Sequence, residues 1–272
     1  MTELSIGAEP RWTESRPPSG WLPRLDIAEL WSYRELAFFL ALRDLKLRYK
    51  QTVFGVSWAI IQPLAGVILF SIVLGRLAGL PSEGVPYPVF VFAGLSVWTY
   101  LSGAVGSAAE SLVEHRDLVS KVYFPRVLAP LAAVLPGLVD FGISLLIVAV
   151  VMTFYGVAPG AALVLLPLWA IAMVLIALGA GLWLSALNVL YRDVRYALGF
   201  VLQLWFFASP VVFPSSLFEG SWRYVFAANP VVALLDGFRP GLVVAIEPMI
   251  VACTTTATNN RTAALRASAI TI

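Results

Sequence analysis

One stretch of the chain, residues 141–191, contains no charged side chain over 51 consecutive residues. As a single helix it would be about 76 Å long, because an α-helix rises about 1.5 Å per residue. That is more than twice the roughly 30 Å hydrocarbon core of a bilayer, which about 20 apolar residues cross. The chain must therefore turn within this stretch, and Gly156, Pro159 and Gly160 predict the place. The feature predicts a membrane protein with at least two adjacent spans.

The same length criterion predicts five membrane-spanning helices, since each needs about 20 apolar residues. They lie near residues 55–74, within 84–109 from about residue 89, at 127–155, at 161–190 and at 196–213. Composition agrees, because 60% of the residues are hydrophobic, 12% are charged and the mean hydropathy is +0.85. Soluble domains carry about 25% charged residues. We therefore predict an all-α, polytopic membrane protein.

The distribution of Lys and Arg predicts which side each loop faces, because cytoplasmic loops carry an excess of these residues. The segment before the first span and the loops after the second and fourth spans hold thirteen, and the other side holds three, which are Arg76, Arg223 and Arg239. This places the N-terminus in the cytoplasm. The beginning of the chain is polar and has no signal-peptide pattern. We expect residues 1–30 to be a disordered cytoplasmic segment.

Residues 31–54 combine a basic cluster with an apolar face, directly before the first span. Four cations lie within eight residues, and they are Arg43, Lys46, Arg48 and Lys50. On one helical face beside them are Phe38, Leu42, Leu45 and Tyr49. This pattern is typical of a helix that lies in the plane of the membrane interface. The alternative is a solvated basic helix that only fixes the topology.

Several kinds of site are excluded by residue counts. The single cysteine, Cys253, rules out an intramolecular disulfide, and with one histidine, His115, a His/Cys metal site is not expected. A phosphate-binding P-loop needs Lys followed by Ser or Thr. The three lysines precede Leu, Gln and Val instead. We expect this chain to bind no cofactor and no nucleic acid. The net charge of +2 says little about partners, because the positions of the charges matter more than their sum.

The chain resembles the permease subunit of type-2 ABC exporters, in the branch that moves O-antigen, teichoic acid, capsule and related polymers. The resemblance covers about residues 36–239. The matching segments, in order, are RDLKLRYKQTVFGVSWAIIQP from Arg43, GVPYPVFVFAGLSVW from Gly84, SLVEHRDLVSKVYFPRVLAPLAAV from Ser111, LNVLYRDVRYALGF from Leu187, ASPVVFP from Ala208, ANP from Ala228 and GFR from Gly237. No single motif is decisive, and the order and spacing together carry the resemblance.

The resemblance implies a transport subunit that is not itself an enzyme. It implies a homodimer embedded in the lipid of the bacterial cytoplasmic membrane. Each copy is expected to dock on a separate cytoplasmic ABC ATPase, which binds ATP and Mg²⁺. The implied substrate is a polysaccharide or a lipid-linked glycan. The second cytoplasmic loop is similar to the coupling helix that enters a groove of the ATPase; its residues are Glu114, His115, Arg116, Asp117 and Lys121. Arg192 and Asp193 form a second contact or a topology anchor. The alternative for the coupling loop is that its charges only anchor it at the lipid headgroups.

The predicted conduit uses an intramembrane carboxylate and a set of aromatic rings. Asp140 lies inside the third span, where a charge is costly, so it has either a transport role or a structural polar contact. Rings in spans one, two and five offer apolar faces to sugar C–H groups; they are Trp58, Trp98, Tyr100, Trp205, Phe206 and Phe207. Gln62 beside Pro63 predicts a kink in span one. The alternative is that these rings are interface anchors and lipid-facing side chains.

The last part of the chain departs from the family pattern. Residues 215–242 are too broken to span, and the resemblance implies short re-entrant helices on the outer face; the alternative is an ordinary loop. Family members add a sixth span, whereas residues 243–272 form a polar, Thr/Ala/Asn-rich segment. We expect a truncated or frame-altered end there. The transmembrane domain is thus predicted at residues 55–242.

The sequence leaves three other functions as alternatives. An ABC-2 exporter of drugs or lipids shares the same fold, but the short first external loop and the motif order favour the polymer branch. A membrane-embedded transferase needs a cluster of acids, histidines or metal ligands at the membrane face, and none is evident in the sequence. A secondary transporter is expected to show inverted repeats or paired broken spans, and we find neither.

Overall fold

The computed structural model describes residues 27–50, 57–116, 121, 124–157, 160, 164–217, 224, 226 and 228–242. Every regular element within those ranges is helical. The α-helices are α1 (Ile27–Ser32), α2 (Arg34–Tyr49), α3 (Ser57–Phe70), α4 (Tyr87–Glu114), α5 (Leu128–Val134), α6 (Gly137–Phe154), α7 (Leu166–Leu190), α8 (Val194–Phe207) and α9 (Pro230–Leu242). A π-helix, Ser71–Leu77, continues α3. The disordered N-terminus predicted for residues 1–30 falls mostly outside the described residues, as does the atypical end at 243–272.

Four helical segments are long and apolar enough to cross a membrane, among the residues described. They are Ile60–Leu77, Tyr87–Glu114, Leu128–Phe154 and Leu166–Leu190. They correspond to the first four predicted spans, and the all-α, polytopic fold is confirmed. The helix that continues through Pro63 agrees with a helical first span, while its predicted kink stays a prediction.

The predicted fifth span is shorter than its sequence range of 196–213. Its helix, α8, ends at Phe207, and the chain then turns through Ala208–Pro210. Fourteen residues extend about 21 Å, which is less than the roughly 30 Å of the hydrocarbon core. Pro210 explains the early end, because a proline disfavours helical geometry in the residue before it. Hydropathy alone did not detect this break, since Val211, Val212 and Phe213 are also apolar.

Helix α4 is the centre of the molecule. It packs against α3, α5, α6, α7, α8 and α9, and 78% of its most apolar 18-residue stretch is buried. Its closest partner is α7, whose buried residues recur at intervals of three to four and are small or polar except for Met173: Met173, Ala177, Gly181, Ser185 and Asn188. A Cβ atom on Gly181 would lie 2.5 Å from the Cβ of Ala108. Small residues let two membrane helices approach this closely.

The third span is broken near its beginning. Helix α5 ends at Val134, Leu135 and Pro136 interrupt the helix, and α6 begins at Gly137. Almost all of α5 is buried, because α4 and α7 cover it on the inner side and α2 covers it on another. The sequence predicted one continuous span here, and it did not predict that α2 packs on it.

Helix α2 lies along α5, and the two helices run in the same direction. Ala37 packs with Leu128 and Ala129, and further along, Leu40 and Ala41 pack with Ala132. This protein-facing side differs from the predicted apolar face. Phe38, on the predicted apolar face, is 63% exposed, and the membrane contact predicted for that face stays a prediction. The sequence shows no sign of the protein contact, since alanine at a helix contact allows close packing but adds little to a hydropathy pattern. Helix α2 thus has two apolar sides, one on the protein and one facing outward.

Helix α9 is packed into the core rather than held in a loop. Val231, Leu235 and Phe238 are fully buried, and the helix contacts α4 and α7. A Cβ atom on Gly237 would lie 2.1 Å from the ring of Trp169, so glycine is required at this contact. The GFR sequence at Gly237–Arg239 therefore combines a close approach, a core aromatic and a buried cation.

Candidate coupling face and translocation pathway

Three elements meet at the cytoplasmic end of α4. Arg195, at the start of α8, donates hydrogen bonds to the carboxylate of Glu110 at 3.2 and 3.5 Å. Asn188, at the end of α7, donates from its side chain to the carbonyl oxygen of Ala109 at 2.9 Å. From α2, the guanidinium of Arg43 contacts the ring of His115. The end of α4 is thereby tied to both neighbouring cytoplasmic segments.

The predicted coupling residues divide into an exposed set and a buried one. The exposed residues are Glu114, Arg116, Lys121, Arg192 and Asp193. These exposed residues lie on two loops, one after α4 and one between α7 and α8. The ion pair between Glu110 on α4 and Arg195 on α8 brings the two loops together. His115, in contrast, is only 4% exposed, so a direct contact with another chain is not supported by its position. Asp117 lies outside the described residues.

Asp140 lies at the contact between α2 and the first turn of α6. It accepts hydrogen bonds from the guanidinium of Arg48 and from the hydroxyl of Tyr49. Burial and the hydrogen bond to Asp140 raise the pKa of Tyr49 to about 12, so its hydroxyl remains a donor at neutral pH. These contacts support the structural interpretation of Asp140, and its transport role stays a prediction.

The four cations of the predicted interfacial helix therefore differ in their surroundings. All four are exposed, but Arg43 and Arg48 also contact other parts of the protein. The sequence shows a uniform basic cluster. Arg48 lies about 20° around the helix axis from the buried Ala41, whereas Lys46 lies about 140° from it, so the packed side of α2 receives only part of the cluster.

Four of the predicted conduit rings form one cluster. The ring centroids of Trp98 and Trp205 lie 6.0 Å apart in an edge-to-face arrangement, and those of Trp98 and Phe206 lie 5.5 Å apart. Phe70 joins from α3, 5.9 Å from Phe206, and Phe207 adjoins Phe206 at 5.3 Å. Edge-to-face and offset geometries are the favourable ones for aromatic pairs. The cluster connects α3, α4 and α8.

The other predicted conduit residues lie elsewhere. Tyr100 points away from Trp98, because two helical positions differ by about 200°, and it packs 5.9 Å from Phe141. Phe141 in turn lies 6.1 Å from Phe238, which makes this a separate core cluster. Trp58 is 50% exposed and Gln62 is also exposed, both on α3. The predicted set is thus divided between two clusters and one outer helix face.

Asn229 connects the aromatic cluster to the outer segment. Its Oδ1 accepts hydrogen bonds from the indole N–H of Trp205 at 3.2 Å and from the backbone N–H of Val231 at 3.1 Å. Its side-chain amide donates to the hydroxyl of Ser209 at 2.9 Å. An Asn before Pro230 in the first helical position is a favourable start for a helix. The sequence contains the Asn–Pro signal, but the bond to Trp205 depends on the tertiary fold.

Replacing Asn229 by Ala is expected to destabilise the outer end of the molecule by about 2 kcal/mol, from one lost N-cap and two lost side-chain hydrogen bonds, to Trp205 and Ser209. Thermal unfolding of the purified protein, followed by tryptophan fluorescence, measures the effect. Asn229→Asp is the matched variant, because it keeps both bonds that Oδ1 accepts, and it should lose less than half as much. Equal thermal unfolding midpoints for Asn229→Ala and the wild-type protein would refute this role for Asn229.

Arg239 is a buried cation, although the sequence predicts it among the charges outside the cytoplasm. It is 7% exposed, lies 4.0 Å from the centre of the Phe90 ring, and donates to the carbonyl oxygen of Val211. Burial lowers the pKa of Arg239 to about 10, while Asp236, Glu83 and Tyr87 act in the opposite direction. The residue therefore stays cationic at neutral pH, where it links α9 to the turn after α8.

The described residues contain no group of three or more His, Cys, Asp or Glu side chains placed to hold a metal ion. The candidate functional surfaces are the charged cytoplasmic end of α4 and the aromatic cluster between α3, α4 and α8.

Known proteins match most of the chain. The ABC-2 type transporter family matches residues 35–243, which extends from α2 to the end of α9. The O-antigen export system permease protein RfbA of Myxococcus xanthus is 33% identical over 219 residues, 78% of this chain and 82% of that protein. A protein of the same name from Klebsiella pneumoniae is 26% identical over 206 residues, 75% of this chain and 79% of its own length. With its apolar helices, this chain is a multi-pass membrane protein of the cytoplasmic membrane that belongs to the ABC-2 type transporter family.

Proposed function

We propose that this chain is the permease subunit of an ATP-driven exporter that moves a polysaccharide or a lipid-linked cell-surface glycan across the cytoplasmic membrane. The observation that carries the proposal is the match to an O-antigen export permease over 78% of the chain at 33% identity. Family membership makes the chain a transport subunit and not a catalyst by itself. The choice of a glycan over a drug or a lipid rests on that relative.

A second copy of the chain is proposed to complete the conduit. Helix α3 has Val67 buried, but exposed apolar side chains cover much of its surface: Trp58, Ile60, Ile61, Ile68 and Leu69. Helix α8 is similar, with Leu198 buried and Phe200, Val201 and Leu204 exposed. These two helices also carry part of the aromatic cluster. We place the conduit where α3 and α8 of two copies face each other, with rings that offer apolar faces to sugar C–H groups.

A separate cytoplasmic ATPase is proposed to supply the energy and to hold ATP and Mg²⁺. The exposed charges that follow α4 and α7 form the docking surface, and Glu114, Arg116 and Lys121 are its described members on the first loop. The bonds from Arg195 and Asn188 to the end of α4 make the surface one unit. A docked loop of this kind can pass a rigid-body motion of the ATPase to the membrane helices.

Replacing Arg116 by Gln and Asp117 by Asn together is expected to abolish export while the permease stays inserted in the membrane. The physical reason is that the change removes one cation and one anion from the docking surface, and charge pairs across an interface fix its register. Co-purification of the ATPase and the amount of exported glycan are the two measurements.

The matched control for this experiment is Arg76→Gln with Glu83→Gln. It also removes one cation and one anion, and both residues are exposed, but they lie at the opposite end of α4, beyond the reach of a cytoplasmic partner. The control should export normally. Retained export in the Arg116/Asp117 variant would contradict the docking proposal.

Deletion of the gene distinguishes the proposed function from its alternatives. Loss of an exporter should leave the polymer inside the cell and remove it from the surface, and expression of the gene should restore surface display. A missing transferase would instead prevent synthesis of the polymer. Increased drug sensitivity or altered lipid distribution, with normal surface glycan, would favour a drug or lipid exporter.

A further inference from the structure

The ring of His115 is held on both sides by groups with fixed hydrogen-bonding roles. Its Nδ1 lies 2.7 Å from the carbonyl oxygen of Ser111. Its Nε2 contacts the Nη2 atom of Arg43. A carboxylate oxygen of Asp44 lies 4.0 Å from the same Nε2. The side chain is 2% exposed, so water does not replace either partner.

These contacts permit one protonation state of the imidazole. A carbonyl oxygen only accepts, so Nδ1 must carry a proton. A guanidinium only donates, so Nε2 must be a free acceptor. The ring is therefore neutral with its proton on Nδ1. A proton on Nε2 would point at the donors of Arg43 and leave a buried bond unmade.

The contact joins two elements that the proposed mechanism must move together. His115 is the residue directly after α4, where the exposed loop begins. Arg43 is on α2, which leads into the first span. The carboxylate of Asp44 accepts hydrogen bonds from Arg43 at 2.9 and 3.1 Å, and this fixes the direction of the guanidinium. Further along α2, Arg48 is bonded to Asp140, so α2 is attached at two places.

We infer that His115 is a positioning residue that joins the start of the exposed loop to α2, and that it does so as a neutral imidazole with its proton on Nδ1. The role in transport rests on the proposed docking of that loop on an ATPase. Motion of the loop then reaches the first span through α2 as well as through α4. His115 itself touches neither the ATPase nor the glycan.

The tautomer can be measured directly, because the chain has one histidine. The full-length protein is labelled with ¹⁵N-histidine, purified through a tag without histidine and studied in lipid nanodiscs at neutral pH. Long-range ¹H–¹⁵N correlation is expected to show a protonated Nδ1 and an unprotonated Nε2. A proton on Nε2, alone or with one on Nδ1, would overturn the inference. This result does not depend on whether the protein exports a glycan.

Variants test the role in coupling. Gln keeps one donor and one acceptor on a neutral side chain, whereas Lys has donors alone. In the reconstituted complex with its ATPase, His115→Gln should transport as the wild type does. His115→Lys should transport about tenfold less glycan per ATP hydrolysed, as expected when one bond to a charged partner is lost.

Two further outcomes keep the test clear. Insertion and ATPase co-purification of His115→Lys should match the wild type, and Arg43→Gln, with His115 intact, should reduce transport per ATP in the same way. Equal transport per ATP in His115→Lys and the wild type would contradict the positioning role. If His115→Lys does not insert, Arg43→Gln decides alone, and unchanged coupling in that variant contradicts the inference. Absence of transport by the wild type would count against the proposed function, while the tautomer would still be tested.

Discussion

The Gly94→Ala variant is expected to lose about 3 kcal/mol of stability, the upper part of the range for overpacking a core. Gly94 lies on α4 where the turn after α8 approaches the helix. An added Cβ atom would lie 2.2 Å from the carbonyl oxygen of Val211 and 2.5 Å from a guanidinium nitrogen of Arg239. The first of these is a backbone atom, which cannot rotate away. The bond between Arg239 and Val211 would have to move as well.

Gly103→Ala is the matched control for this prediction. Gly103 is on the same helix, but a Cβ atom there would meet nothing within 4 Å. Replacing a helical glycine by alanine is favourable by up to about 1 kcal/mol where space allows. Thermal unfolding of both variants in detergent or nanodiscs should therefore show a lower midpoint for Gly94→Ala and an unchanged or higher one for Gly103→Ala. Equal midpoints would show that the carbonyl oxygen of Val211 does not lie close to Gly94 on α4.

The second large effect is expected at the ion pair between α2 and α6. Asp140→Arg places two cations side by side at the beginning of α6, where Arg48 now binds a carboxylate. An unpaired charge within a membrane helix costs up to about 3 kcal/mol, and the real cost should be lower because Arg48 and Asp140 are 40% and 28% exposed. Export and the amount of folded protein should both fall.

The reciprocal exchange tests the pair itself. Arg48→Asp combined with Asp140→Arg restores opposite charges and should recover most of the folded protein and of the export. Asp140→Asn keeps an acceptor for Tyr49 and should have a smaller effect than Asp140→Arg. If Asp140→Asn abolishes export while the protein folds normally, the carboxylate has the direct transport role. If the exchange rescues nothing while both single variants are tolerated, the pair does not hold α2.

Hydropathy predicted the first four spans, because a span needs an uncharged apolar stretch and such a stretch can be read directly from the sequence. The side that each loop faces, predicted from the Lys and Arg counts, stays a prediction. Neither pattern predicted where helices break. Pro136 interrupts the third span and the turn at Pro210 ends the fifth, yet both lie in apolar sequence. Hydropathy also gave no sign that α2 packs on the protein. Ala37 and Ala41 make that contact because they are small, and small residues contribute little to an apolar pattern.

Side-chain partners were less predictable still. The sequence singled out Trp98, Trp205 and Phe206 by residue type, and the fold brings them together. It also singled out Tyr100, which the helical rotation directs to the opposite side of α4. His115 lies among charged residues and was expected at the surface, but the packing of α2 covers it. The bonds that join distant segments, such as Arg195 to Glu110, depend on the tertiary arrangement of helices and leave no local signal.

This chain and a separate ATPase are proposed to move a glycan across the membrane together. The most direct test is a transport assay in inverted membrane vesicles that contain the permease, its co-purifying ATPase, or both, with a labelled lipid-linked glycan added outside. Protected glycan is expected to accumulate in the lumen with ATP and both chains present, and not when either chain or ATP is omitted. If vesicles with both chains and ATP protect no glycan, but accumulate a drug or transfer a lipid, the assignment as a glycan exporter is contradicted.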